Sequence, residues 1–145
     1  MGSDGYAERV VERLREEGLK VTPQRLAVVR YLDGNPDHPS AEQIHREVTR
    51  SFPTISLATI YNTLDVLERI DAVQSVFVDS GRRRYDPETR PHHHVVCRRC
   101  LRVADVLPDD AGPIPVPGSI RGRFADLQTV VLYRGVCPAC QAPAV

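Results

Sequence analysis

The 145-residue chain has no net charge, because 19 Lys and Arg stand against 19 Asp and Glu. That excludes the broad basic field by which many nucleic-acid binders attract phosphate. The split along the chain sharpens the point: Met1 to Glu88 holds 12 basic and 15 acidic residues, and Thr89 to Val145 holds 7 and 4. Any contact of the first half with nucleic acid must therefore come from local placement of Lys and Arg, with the acids turned away. No apolar run approaches the roughly 20 residues that cross a bilayer, so no membrane partner is expected. The opening stretch MGSDGYAERVVERL lacks the basic start and apolar run of a secretory leader, and a cytoplasmic location is expected. There are no internal repeats, which excludes a solenoid. What remains is 41% hydrophobic and 26% charged, the balance of a soluble globular protein. The length suits one ordinary domain or two small ones.

The first half reads as helices. Tyr6 to Glu17 carries Val10, Val11 and Leu14 at helical spacing, and Gly18 is a natural stop. Thr22-Pro23 is an N-cap followed by proline at the first helical position, and Leu26, Val29 and Leu32 continue that helix to about Gly34. Ser40 opens a third helix with Gln43 placed for a capping box. Ser56 opens a fourth, with Ile60, Leu64 and Leu67 as its buried stripe. The period then changes to two. Val73 to Val78 predicts a strand, Asp79-Ser80-Gly81 a turn and Arg82 to Asp86 the return strand. Helices followed by a two-stranded hairpin are the layout of a winged helix-turn-helix, with the fourth helix as its recognition helix.

Glu88 to Pro91 reads as a hinge. Beyond it, strands are expected at His93 to Cys97, Leu101 to Leu107 and Thr129 to Tyr133. The intervening Pro108 to Gly118 is too rich in proline and glycine for a regular helix, and a short one is expected only from about Ser119 to Phe124.

All four cysteines fall in two CxxC pairs, Cys97-Arg98-Arg99-Cys100 and Cys137-Pro138-Ala139-Cys140. Each spacing lets two thiolates grip one ion from a tight turn, and two such turns supply the four ligands of a structural zinc. Two disulfides would need an oxidising compartment, and nothing exports this chain. A redox pair would be single and at a helix start.

Histidines crowd the hinge. On a strand, His92 and His94 share one face and His93 takes the other. Asp86 precedes them, Asp105 lies on the next strand, and His38 sits in the loop before the third helix. Imidazoles with carboxylates suit Fe(II), Mn(II), Ni(II) or Zn(II). Ligands drawn from both halves would make the metal a conformational signal. No nucleophile or general base stands beside these ligands, which argues against a zinc hydrolase; the chain is not expected to be an enzyme.

Leu19-Lys20-Val21-Thr22-Pro23-Gln24-Arg25, His38-Pro39-Ser40-Ala41, Ser56 to Leu64 and His92-His93-His94-Val95-Val96-Cys97-Arg98-Arg99-Cys100 stand in one order along the chain. Together they resemble the ferric uptake regulator (Fur) family, collinearly from about Val10 to Cys140. The resemblance implies an α+β homodimer: a winged-helix DNA-binding domain over residues 1–88, a hinge at about 86–91, and a metal-binding α/β dimerisation domain over 92–145. It implies structural Zn2+ on Cys97, Cys100, Cys137 and Cys140. It also groups His38, Asp86, His92, His94 and Asp105 into one regulatory site, for Fe2+ or Mn2+, with Zn2+ or Ni2+ as alternatives. Within the family the chain is most similar to the peroxide-stress repressor branch, because both hinge carboxylates are aspartates and Asn62 follows Tyr61. That implies iron-catalysed oxidation of a ligand histidine, His38 or His92, and release from DNA. The alternative is an iron-, zinc- or nickel-responsive uptake repressor. Leu127-Gln128-Thr129 lacks the histidine of a further site found in many members, which leaves His93 without a metal.

For DNA, an A·T-rich palindromic operator is expected. Ser56, Leu57, Ala58, Tyr61 and Asn62 are placed on the exposed side of the fourth helix, with Asn62 suited to adenine and Tyr61 or Leu57 to thymine methyls. Lys20, Arg25 and Arg83, central among Arg82 to Arg84, are the candidates for phosphate.

Overall fold

In the computed structural model, residues 5–79 and 81–142 are described. Met1 to Asp4 of the opening stretch and Ser80 of the expected turn lie outside them. The chain divides into two compact units, with the boundary between Thr89 and Arg90.

The first unit contains α1 (Tyr6–Glu16), α2 (Pro23–Leu32), α3 (Ala41–Val48), α4 (Leu57–Arg69), β1 (Gln74–Asp79) and β2 (Arg82–Asp86). Three of the four helices begin on a hydroxyl that accepts a backbone N–H of the first turn. Thr22 takes Arg25 N–H, Ser40 takes Gln43 N–H, and Ser56 takes Thr59 N–H. Each such cap contributes about 1 kcal/mol. At Ser40 the box is complete, because the Gln43 side-chain oxygen accepts the Ser40 N–H in return. Below the caps, Leu14, Val28, Val29, Leu32, Ile44, Ile60, Leu64, Leu67, Val73 and Tyr85 form one buried core.

The turn after α4 is clamped by α1. Tyr6 Oη donates to Ala72 C=O at 2.8 Å, and Arg13 Nη1 donates to Ile70 C=O and Asp71 C=O at 2.9 Å each. These carbonyls would otherwise be orphans of the helix end. The clamp fixes where the chain leaves α4 and enters β1. β1 and β2 pair antiparallel from Gln74↔Asp86 to Phe77↔Arg83, with an irregularity between Phe77 and Asp79 next to the turn.

The second unit is a three-stranded sheet of order β4-β3-β5, from β3 (His93–Cys97), β4 (Val103–Val106) and β5 (Leu132–Gly135). β3 runs antiparallel to β4 and parallel to β5. A parallel return needs a long crossover, and residues 107–131 provide it. Three expectations are corrected here. The proline-rich segment does begin with a helix, α5 (Pro108–Ala111), because Pro108 at its first position has no N–H to waste. Residues 119–124, the expected helix, form only turns. β5 starts three residues later than expected, since its register is set by pairing with β3 (His94↔Leu132). A second short helix, α6 (Pro138–Gln141), ends the unit.

Tyr6→Phe is expected to leave the buried Ala72 carbonyl unpaired and to cost about 1–2 kcal/mol. Equilibrium urea unfolding monitored by circular dichroism measures it, and an unchanged midpoint would show that the clamp contributes nothing.

Candidate metal centres

The four cysteines converge at one end of the second unit's sheet. Cys97 ends β3, and a turn bonded from Leu101 N–H to Cys97 C=O brings Cys100 back beside it. Leu101 holds φ 60°, the left-handed backbone that closes this turn. Cys137 caps α6, and Cys140 follows one turn on, its N–H donating to Cys137 C=O. No disulfide joins any of the four. Their sulfurs all lie within 4.8 Å of one another, and Cys100 Sγ and Cys137 Sγ stand 3.8 Å apart. A tetrahedral ion with metal–sulfur bonds of about 2.3 Å sets its sulfurs ~3.8 Å apart, so the set fits one such ion.

The electrostatics agree. Cys97 Sγ accepts N–H bonds from Cys100 and Cys137 at 3.5 and 3.3 Å. These backbone donors pull the Cys97 thiol down to about 5. Cys140 is pushed up to about 12, first by its hydrogen bond to Cys137, then by burial and the remaining sulfurs. A cation beside the four sulfurs would favour the thiolate at each of them.

The imidazoles and aspartates form a pair in the first unit and a trio in the second. In the first unit, His38 Nε2 lies 3.1 Å from Asp86 Oδ2, although 48 residues separate them. Tyr85 N–H donates to Pro39 C=O at 2.9 Å, which lays the α2–α3 loop along the end of β2. His38 sits in that loop at φ 49°, and Asp86 Oδ1 accepts Glu88 N–H. In the second unit, His94 and Asp105 are cross-strand partners on β3 and β4. Asp105 Oδ1 lies 3.0 Å from His92 Nε2 and 3.5 Å from His94 Nε2.

The His92 ring is oriented by its other nitrogen, Nδ1, 2.7 Å from Arg90 C=O. A carbonyl only accepts, so Nδ1 carries the proton. His92 Nε2 thus faces the Asp105 carboxylate oxygen, and a cation held beside both would take the Nε2 lone pair in place of a proton. Two ligands at about 2.1 Å from one ion and at right angles to each other stand ~3.0 Å apart. The His38–Asp86 and His92–Asp105 spacings both match. A ring N–H on a backbone carbonyl is also how ligating histidines are commonly held.

His93 faces the other way, and its Nδ1 accepts Val131 N–H at 3.1 Å, fixing the approach to β5. His45 on α3 is half-buried, with Nε2 2.9 Å from Ile55 C=O. It pins the loop before α4.

Of the residues expected to meet DNA, Ser56, Ala58 and Asn62 are exposed on α4 and its cap. Leu57 and Tyr61 are corrected: both are half-buried and pack against the core, because α4 turns part of that face inward. Thr59, not among the residues expected to meet DNA, is exposed, and its hydroxyl lies 2.9 Å from Ser56 Oγ. Its position three residues from both Ser56 and Asn62 was the available signal. Lys20 is exposed, and Arg25 Nη1 donates to its C=O. Arg83 is half-buried, lies over the rings of Phe77 and Tyr85, and stands 3.7 Å from Glu68 Oε1. Arg82 pairs with Asp79, and Arg84 donates to Gln43 Oε1. Among the described residues no helix is long and apolar enough to cross a membrane.

An α+β chain with a tetrathiolate knuckle and separate imidazole–aspartate sets defines a metal-binding protein. The ferric uptake regulator family model matches residues 16–112. The peroxide-responsive repressor PerR of Staphylococcus aureus (strain Mu50 / ATCC 700699) is 33% identical over 134 residues, covering 92% of this chain and 90% of that one. A PerR structure from Streptococcus pyogenes is 32% identical with TM-score 0.55, covering 97% and 96%. The Helicobacter pylori ferric uptake regulator, at 20% identity, shares the fold with TM-score 0.76 over 98% and 95%. The chain belongs to the ferric uptake regulator family, whose members are metal-responsive transcriptional regulators and not enzymes.

Cys100→Ser is expected to lose one tightly held equivalent of metal and to melt the second unit, because metal affinity at such a site is folding energy. Elemental analysis after gel filtration, paired with circular dichroism, measures both. Four thiols that react freely in native wild-type protein would count against the site.

Proposed function

We propose that the chain is a DNA-binding transcriptional repressor that requires a divalent metal and responds to peroxide. The observation that carries this reading is an imidazole–aspartate set in each unit, each spaced within itself as neighbouring ligands of an ion and free of thiolate. His38 and Asp86 would offer two ligands and His92, His94 and Asp105 three, and it is the family resemblance that groups all five on one ion. Nitrogen and oxygen donors suit Fe2+ or Mn2+, and Zn2+ or Ni2+ are alternatives. The four thiolates suit structural Zn2+. The similarity to peroxide-responsive relatives, with aspartate at both carboxylate positions, supports the peroxide signal.

Fe2+ held by these residues would catalyse the reduction of hydrogen peroxide, the two electrons coming in the end from the oxidised imidazole and not from the ion. The chain supplies the target: a ring carbon of His38 or His92 takes one oxygen of the peroxide, and the other leaves as water. The altered imidazole is a poorer ligand, and loss of metal ends repression. The protein is consumed by its signal, so sensing is stoichiometric.

In this reading the first unit is a winged helix, with α4 presented to the major groove and β1–β2 as the wing. Exposed Ala58, Thr59 and Asn62 suit an A·T-rich palindrome, and Ser56 at the α4 start suits phosphate. Lys20 and Arg25 are the nearer candidates for backbone contact, since Arg83 is engaged by Glu68 and two rings. The palindrome requires a homodimer. Exposed Leu107, Phe124, Leu127, Val130 and Tyr133 of the second unit support one.

Fe2+-loaded protein treated with hydrogen peroxide is expected to gain one oxygen on the peptide carrying His38 or His92, with parallel loss of DNA binding. Peptide mass spectrometry and fluorescence anisotropy measure these. Reversible loss on chelation without histidine oxidation would assign the protein to metal-availability sensing instead. Separately, Asp105→Asn is expected to weaken regulatory-metal affinity about 10- to 100-fold, read by metal titration.

A further inference from the structure

Tyr61 is held from the side by a carboxylate. Its hydroxyl donates to Glu42 Oε1 at 3.0 Å, an exposed bond that crosses from α4 to the first turn of α3. Glu42 stands on the best-fixed helix start in the unit, the reciprocal Ser40–Gln43 box. Its carboxyl is drawn below the usual range, first by its own backbone N–H and then by the hydroxyls of Tyr61 and Ser40 and the charge of Arg84. Arg84 reaches the same helix start, donating to Gln43 Oε1 at 2.7 Å. The Tyr61 phenol is pushed up, by burial first and then by Glu42, so it remains a donor.

An exposed carboxylate next to the face of α4 that carries Ala58 and Asn62 is costly for a protein that approaches phosphate. The chain places one there and engages it with Tyr61. We propose that Glu42 is a positioning residue for sequence readout. It occupies the Tyr61 hydroxyl, fixes the ring before DNA arrives, and leaves the apolar ring as what Tyr61 offers to a base. Packing on a thymine methyl, not a phenol hydrogen bond, is then the contact. This rests on the DNA-recognition reading above. Without Glu42 the ring keeps its contact with the core but loses the bond that fixes its outer end, and ordering that end on binding lowers affinity about threefold to tenfold.

The test uses full-length Mn2+-loaded chain and the duplex that wild-type protein selects from a random pool, beside a scrambled duplex of equal composition. Anisotropy titrations give the ratio of the two affinities. Glu42→Ala is expected to raise affinity for scrambled DNA and to cut the ratio about threefold to tenfold. Glu42→Gln keeps an acceptor for the hydroxyl and is expected to keep the wild-type ratio while both affinities rise. Tyr61→Phe is expected to cut the ratio, and the Glu42→Ala/Tyr61→Phe double variant to be no worse than either single. A wild-type ratio in Glu42→Ala, or additive losses in the double variant, would overturn the positioning role alone. Wild-type protein that prefers neither duplex would overturn the DNA-recognition reading with it.

Discussion

Four cysteine sulfurs converge at one end of the second unit, and a cation that held them as thiolates would supply what that unit's small core lacks. Its buried apolar side chains among the described residues are few, Val96, Cys97 and Val103, on a sheet of three short strands. Burial of that extent leaves little surplus over the entropy of ordering the chain. The convergence of Cys97, Cys100, Cys137 and Cys140 ties both ends of the unit to β3. β3 also carries His94 and begins one residue after His92. Whatever loosens the sulfur end therefore loosens the strand that aims the imidazoles. The knuckle and the imidazole–aspartate set have different donors but share one mechanical support.

The first unit has no such dependence. A core of long aliphatic side chains and three capped helices support it, and its polar bonds do positional work. The loop before α3 has three roles at once. It carries His38, its Pro39 carbonyl takes the N–H of Tyr85 beside Asp86, and its Ser40 caps α3. The α3 start in turn carries Glu42, which reaches Tyr61 on α4. A few backbone residues and one hydrogen bond thus join the imidazole–aspartate pair to the helix that presents Ala58, Thr59 and Asn62. At the other end of α4, Tyr6 and Arg13 hold the carbonyls of residues 70–72 and set the entry into the hairpin.

Local signals were read well where local physics decides. The caps at Thr22, Ser40 and Ser56 appear where hydroxyl side chains precede helical spacing, and β2 and β3 span the residues expected of them. Signals failed where partners distant in sequence decide. β5 is placed by its pairing with β3, not by its own apolar residues. α5 forms where proline and glycine content argued against a helix, because one turn beginning on proline forgoes only hydrogen bonds that it would lack anyway. Leu57 and Tyr61 were assigned to the surface from helical periodicity, but periodicity does not fix how far a helix is rolled against its neighbours. No local signal marks His45 as half-buried, because its partner, Ile55 C=O, belongs to a loop ten residues on.

The sequence by itself determined the chemistry: two CxxC pairs at knuckle spacing, His92 and His94 on one strand face, and the hydroxyls that start three helices. Ligand type, spacing and capping are properties of a few adjacent residues. Only the tertiary structure decided which of those residues meet. It brought Asp86 to His38 across 48 residues, gave the Asp105 oxygen to both His92 and His94, and placed Glu42 under Tyr61. Such pairings depend on strand register and helix packing, and those are set by the core as a whole.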